Sequence, residues 1–206
     1  MNIWIDNVSY RVQEGLSILK VCEANGILIP RFCYNEKLSI SGNCRICLVE
    51  IVGIGKPVLS CITTVKAGMK VWTVSALANR SSTSVSEMVL KNHPLDCAIC
   101  DQGGECDLQT VSMSAGNDTS RSYKVQKRPV GVKSFGVLVK TEMQRCIQCT
   151  RCVRYMSQVV GYPSIGMIGR SEMVEVSSYQ SSSYMNKVSG NLIELCPVGI
   201  IVKPCE

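Results

Sequence analysis

Large aromatic side chains are nearly absent from this chain, which has two Trp and two Phe in 206 residues. A core packed mainly by rings is therefore excluded, and something other than aromatic area must help hold so short a chain together. No apolar run reaches the eighteen or more residues of a membrane-spanning helix. Phosphate-cradling loops are missing too. Gly53-Ile54-Gly55 is a fragment only, because Val58 stands where the third glycine of G-x-G-x-x-G belongs, and no P-loop occurs. Nothing here supports binding of a nicotinamide, flavin or nucleotide by this chain alone. The formal charge is +6, yet Lys and Arg are scattered and form no stripe interleaved with aromatics, so a nucleic-acid groove is not indicated. No repeat recurs at a fixed period. Histidine occurs once, as His93.

Cysteine is the excess, with thirteen residues. A disulfide scaffold would suit a short secreted chain, but the count is odd, no secretory signal precedes the first structured residues, and the cysteines gather in C-x-x-C groups. Adjacent C-x-x-C thiols aim at one point in space, which suits a metal better than long-range cross-links. A reducing compartment is expected. Met1 leads directly into an alternating pattern (Ile3, Ile5, then Val8, Tyr10, Val12) that leaves no room for a transit peptide. The expectation is a chain made where it works, encoded inside an organelle, or already processed.

The pattern predicts an α+β chain. A hairpin over 2–13 turns at Asp6-Asn7, and a helix around Ser17–Asn25 stops at Asn25-Gly26. Extended segments are predicted at Arg45–Val52, Pro57–Ile62 and Met69–Val74. The Ser-rich run Ser81–Ser86 reads as a boundary, with a capping box of Ser84 and Glu87 opening a short helix that delivers His93-Pro94. A Gly- and Cys-rich loop over 97–106 and a short helix to about Met113 follow. Residues 114–140 read as a connector with strand character at Val137, Leu138 and Val139. A helix near Cys152–Val160 and an exposed Ser/Tyr-rich loop over 177–184 complete the reading.

Three ligand sets stand out. The first is Cys33, Cys44, Cys47 and Cys61, spaced C-x10-C-x2-C-x13-C. It keeps the C-x2-C core of plant-type two-iron sites, and a loop carrying three of four thiolates supplies two ligands per iron economically. Gly42, lacking a Cβ, lets backbone N–H groups approach the sulfurs. A four-cysteine zinc site is the alternative, although such sites use two C-x-x-C pairs and the outer cysteines here are single. The second set is His93, Cys97, Cys100 and Cys106, in a loop containing Gly103-Gly104. Three cysteines and one histidine also suit zinc, which stays open at this point; the backbone freedom of the glycine pair leans towards iron and sulfide. The third set is Cys146, Cys149, Cys152 and Cys196, where C-x2-C-x2-C and a remote Cys-Pro form a four-iron signature. The positions of a second triple upstream of Cys196 hold Asn186, Ser189 and Leu192, so one cluster is expected there. The cofactors expected are one 2Fe-2S cluster and two 4Fe-4S clusters.

Oxidised clusters with their thiolates add about −5 to the chain, which brings the loaded protein near +1 and removes most of its apparent basicity. Arg45, Arg145, Arg151 and Arg154 flank ligands, either as solvated cations or as groups that offset cluster charge. Cys22 reads as a small core residue and Cys205 as having no role. No catalytic residue is expected.

With the sets in this order, the chain resembles the amino-terminal part of the large (75-kDa-type) iron–sulfur subunit of respiratory complex I, NADH:ubiquinone oxidoreductase. The resemblance rests on Cys33–Cys47, His93-Pro94-Leu95-Asp96-Cys97 through Gly103-Gly104-Glu105-Cys106, Arg145-Cys146 through Val153-Arg154, and Ser189-Gly190 through Pro197-Val198-Gly199. It implies a β-grasp ferredoxin domain (1–77), a small helical His-Cys four-iron domain (78–117) and a second loop-rich four-iron domain (118–206). It implies an electron relay subunit, without a catalytic site of its own. Single electrons would arrive from the flavin-bearing NADH-oxidising subunit and leave towards quinone-side iron–sulfur subunits. The implied place is the matrix side of the mitochondrial inner membrane, or the cytoplasmic face of a bacterial one. Members of this family continue into a long domain resembling molybdopterin oxidoreductases, whereas this chain stops ten residues after Cys196; that part is expected as a separate polypeptide, or lost. Related modules serve soluble NAD-linked hydrogenases and formate dehydrogenases, whose hydrogenase-type subunits carry the second cysteine triple missing here. A zinc-stapled structural or assembly protein is the alternative of another class.

Overall fold

In the computed structural model, residues 1–115, 127–134, 139–178, 188 and 190–203 are described. Strands β1 (Asn2–Ile5) and β2 (Val8–Arg11) form the expected hairpin. Asp6 and Asn7 both take positive φ, 48° and 70°, the two-residue turn whose twist matches a hairpin. Helix α1 (Ile18–Ala24) begins where Ser17 Oγ accepts from the Lys20 N–H at 3.4 Å and ends at Asn25, with Gly26 at φ 73°. Strands β3 (Leu48–Ile51), β4 (Val58–Leu59) and β5 (Lys70–Trp72) complete a mixed sheet in the order β2-β1-β5-β3-β4, with β1 and β5 parallel. Ile3, Ile5, Ile18, Leu19, Val49 and Val71 fill the core between sheet and helix. These strands are shorter than the expected spans. Arg45 sits at φ 60° and Ser60 donates twice to the Cys47 carbonyl, so the chain is bent around its cysteines before the ladder begins.

No helix opens at Ser84. Helix α2 runs unbroken from Ala76 to Asn92, capped by Ser75, whose Oγ accepts from the Ala78 N–H at 3.1 Å. Ala78, Ser82 and Ser86 are buried at four-residue spacing, and this stripe of small side chains faces inward where α2 packs on β3. Ser82 and Ser86 are therefore helix-packing residues. A 3-10 turn (Cys97–Ile99) leads to α3 (Asp107–Ala115), which packs against α2.

The remainder places β6 (Val132–Ser134), β7 (Lys140–Glu142), α4 (Arg151–Gln158), β8 (Ile165–Ile168), β9 (Glu175–Ser178), α5 (Asn191–Leu195) and β10 (Ile201–Val202) around a second core. Of the expected strand residues Val137, Leu138 and Val139, the first two lie outside the described residues and Val139 directly precedes β7. Ser177 and Ser178 belong to β9 rather than to a loop, and 179–184 lie outside the described residues. The second core gathers Phe32, Cys33 and Ile46 from the first sheet's ligand loop with Cys106, Cys149, Cys152 and Cys196. Cys47 and Cys61 belong instead to the first core. The first ligand set thus sits on the seam between the two cores. Among the described residues no helix is long and apolar enough to cross a membrane.

Candidate metal centres

The structure brings each ligand set together. In the first, Cys33 pairs with Cys44 and Cys47 with Cys61 through thiol hydrogen bonds. Donation from Cys44, joined by backbone N–H groups of Cys44 and Asn43 and by Ser41, holds Cys33 well below the ordinary thiol range despite its burial. Its partner Cys44 is pushed up. Cys47 is likewise lowered by Cys61 and by Ser60, and Cys61 is raised. Within each pair one thiol is thus eased towards its charged form while its partner is held neutral, and a metal core binding there displaces the remaining protons. Gly42, at φ 61°, lies beneath Ile62 and Leu59.

The second set lines a cavity of about 980 Å3 containing His93, Cys97, Cys100 and Cys106. His93 Nδ1 is buried without a hydrogen-bond partner among the described residues. Desolvation, then the neighbouring Arg145 charge, pushes the imidazole down to about 4. A buried neutral nitrogen with a free lone pair fits a metal ligand. Gly103 packs under the loop, where a Cβ would stand 2.8 Å from the Cys97 carbonyl oxygen.

In the third set Cys149, Cys152 and Cys196 are buried and Cys146 is partly exposed. Burial raises the thiols of Cys146, Cys149, Cys152 and Cys196, and the mutual proximity of Cys146, Cys149 and Cys196 raises Cys152 further. Backbone N–H groups partly offset this: Gln148 N donates to Cys146 Sγ at 3.3 Å, and Arg151, Val198 and Ile200 serve Cys149 and Cys196. Gln148 and Thr150 take positive φ, 57° and 61°, which curls the loop between the thiols. Burial and mutual proximity favour the neutral thiols here, and a bound cation would be what offsets their charge as thiolates, so the chemistry of the donor set suits a metal core. Among the described residues no three His, Cys, Asp or Glu side chains converge on the tight geometry of a single ion. Leu192 is a buried apolar residue of α5, not a donor.

Buried arginines knit these loops. Arg145 donates to Asp96 at 3.4 Å and to the Gly199 carbonyl at 3.3 Å, joining the second and third sets. Arg154 reaches the carbonyls of Cys33 and Cys149. Arg151 lies 3.9 Å from Asp107, and Arg45 is exposed. Two residues were given no role by the sequence reading. Arg128, 3% exposed, donates to the carbonyls of Met143, Cys146 and Val174. Gly199 faces Cys100, where a Cβ would meet Sγ at 2.2 Å. Arg128 is remote from every ligand in sequence, and Gly199, three residues after Cys196, carries no local sign that it faces Cys100. Cys22 is a buried helix residue whose thiol is pushed up to about 12 by burial, then by Asp6; Cys205 lies outside the described residues.

Three family models match in succession: a 2Fe-2S iron-sulfur cluster binding domain over 1–76, an NADH-ubiquinone oxidoreductase-G iron-sulfur binding region over 83–121, and the ferredoxin-like domain of NADH-quinone oxidoreductase subunit 3 over 136–202. The chain is 49% identical over 201 residues to the NADH-ubiquinone oxidoreductase 75 kDa subunit of Reclinomonas americana, covering 98% of itself and 29% of that protein. It is 47% identical to the mitochondrial NADH dehydrogenase [ubiquinone] iron-sulfur protein 1 of Solanum tuberosum, and 47% identical to the mitochondrial 78 kDa subunit of Neurospora crassa. In both cases 98% of this chain and 27% of the relative are covered. The chain thus spans less than a third of the length of these relatives. Among solved structures, a chain of an NAD+-reducing [NiFe]-hydrogenase superposes with a TM-score of 0.88 at 22% identity, covering 99% of this chain and 87% of that one. That likeness speaks to the fold alone.

Proposed function

Because the chain belongs to the family of the NADH-ubiquinone oxidoreductase 75/78 kDa iron–sulfur subunits, matching their amino-terminal part, we propose that it relays single electrons in that complex. Cys33, Cys44, Cys47 and Cys61 would hold a 2Fe-2S cluster. His93, Cys97, Cys100 and Cys106 would hold a 4Fe-4S cluster, and Cys146, Cys149, Cys152 and Cys196 another. When bound, such clusters supply reversible one-electron chemistry. The chain's own residues supply thiolate and imidazole donors, N–H groups directed at sulfur, and arginines that set the local charge.

The observation that carries this reading is the convergence of all three ligand loops. The loop of the first set shares a core with the cysteines of the other two. Asp107 N donates to the Pro197 carbonyl at 3.1 Å, so the residues following Cys106 and Cys196 touch. A relay needs its carriers adjacent, and a zinc-stapled scaffold does not. In the full reading, 1–77 is a β-grasp domain, 78–117 a His-Cys domain and 118–206 a second four-iron domain. The partners are the flavin-bearing NADH-oxidising subunit, quinone-side iron–sulfur subunits and a polypeptide equivalent to the rest of the relatives. The place is the matrix side of the mitochondrial inner membrane.

Anaerobic purification tests this directly. About ten iron atoms per chain, with three reducible EPR signals, support the relay; a colourless, zinc-loaded protein overturns it. Co-purification with hydrogenase subunits instead of quinone-reductase subunits would move the relay to another complex.

A further inference from the structure

Arg154 sits on α4, two residues beyond Cys152, yet its contacts lie on two ligand loops. Its residue is 8% exposed. Nη1 donates to the Ser39 carbonyl at 2.6 Å and Nε to Thr150 Oγ1 at 3.2 Å. Nη2 donates both to the carbonyl of Cys33, a ligand of the first set, and to that of Cys149, a ligand of the third, at 3.3 Å. Neutral groups fasten the same seam: Asn43 Nδ2 donates to the Gln148 carbonyl at 2.8 Å and Ser39 N to Gln158 Oε1 at 2.9 Å. Arg154 is the charged member of that seam.

A buried cation needs counter-charge. Among the described residues no carboxylate pairs with Arg154, and the ionisable groups that act on it are the ligand thiols of Cys33, Cys149 and Cys152 and the cation of Arg151. Its four acceptors are all neutral. The charge therefore has its compensation only when the two ligand sets on either side are negative, which is the condition of loaded clusters. The fork geometry matters as well, because a planar guanidinium can serve diverging carbonyls that a lysine ammonium cannot hold at once.

Resting on the iron–sulfur reading above, we propose that Arg154 is a positioning residue that makes the first and third sites one electrostatic unit. Its charge favours the reduced state at both, so their potentials rise and fall together, while its fork fixes the spacing of the loops. The His93 site, tied instead through Arg145, lies outside this unit.

The test is an EPR-monitored redox titration of the natively assembled protein with R154Q and R154K. In R154Q the reduced-to-oxidised ratio of both the Cys33-set and Cys146-set centres, at fixed ambient potential, should fall about tenfold, or about 59 mV for a one-electron couple. The His93-set centre should not move. R154K keeps the charge and should restore most of both shifts, while backbone hydrogen exchange in 33–43 speeds up because the fork is lost. If R154Q does not assemble, R154K still decides. Near-normal potentials with faster exchange support the proposal; displaced potentials or unaltered exchange overturn it. Signals present in the unaltered protein but unmoved in R154Q, or moved at one site only, sink this inference and leave the iron–sulfur reading standing. No signal in the unaltered protein sinks both.

Discussion

A Cβ placed on Gly199 would stand 2.2 Å from Cys100 Sγ and 3.1 Å from the Cβ of Gln102. Gly199 follows Cys196-Pro197-Val198, the closing ligand of the third set, and its carbonyl accepts from Arg145. A free thiol could swing away from such a methyl; a thiolate fixed to iron could not. The second and third sites are thus built against each other at a point where only hydrogen fits.

Gly199→Ala should therefore strip the His93-set centre selectively. Iron should fall from about ten to about six atoms per chain, with the other two EPR signals kept and the far-UV circular dichroism nearly unchanged. Retention of all iron in the variant would show that the Gly199 loop yields, and the close approach would lose its meaning.

His93 makes a pH-dependent contribution whose sign follows from burial pushing its imidazole from the ordinary 6.5 down to about 4. In the iron-stripped chain the unfolded state binds this proton throughout that window and the folded state does not. Stability from this group is therefore complete well above pH 6.5 and declines as pH falls through 6.5 towards 4, by about 3 kcal/mol in all. Urea midpoints at pH 7 and pH 4.5 should differ less in His93→Gln than in the unaltered chain, because the carboxylates common to both cancel.

What the sequence made legible was local. The Asp6-Asn7 turn, the Ser17 and Asn25 ends of α1, and the C-x2-C pairs each depend on residues within a few positions of one another, and the structure shows the same elements. The start of α2 was misplaced because Ser84 and Glu87 match a capping box, while the cap in the structure is Ser75. Only the packing of Ser82 and Ser86 beneath the helix shows that small side chains were needed there. Arg128 and Gly199 were illegible for a related reason, since their partners lie 15 or more residues away in the chain. The strands came out shorter because left-handed residues such as Arg45 serve the ligand loops, a demand that β propensity does not register.

Gly42 has φ 61°, where an L side chain is strained by about 1–2 kcal/mol, and its Cβ would press Ile62 Cδ1 at 2.4 Å. Ile62 is half exposed and can turn aside, so the backbone strain decides the outcome. Gly42→Ala should lower unfolding stability by about 1–2 kcal/mol while keeping the visible absorption of the Cys33-set centre, and Gly42→Asn, which tolerates this conformation better, should lose less. Equal losses in the two variants would point to the steric contact instead.

Ser86 offers a stability test that leaves all three ligand sets untouched. It is fully buried on the inner face of α2, and its Oγ finds no hydrogen-bond partner among the described residues. An unpaired buried hydroxyl costs about 1–3 kcal/mol in desolvation, and alanine is the better helix former. Ser86→Ala should therefore stabilise the protein by about 1 kcal/mol, a rise in Tm of about 2–4 °C for a chain of this length. Ser86→Leu should act in the opposite direction, because a fully buried serine position has no room for a larger side chain and overpacking costs about 1–3 kcal/mol. Scanning calorimetry on the two variants separates the effects. A destabilised Ser86→Ala would mean that the hydroxyl has a partner after all, and a neutral Ser86→Leu would mean that α2 can stand away from the sheet.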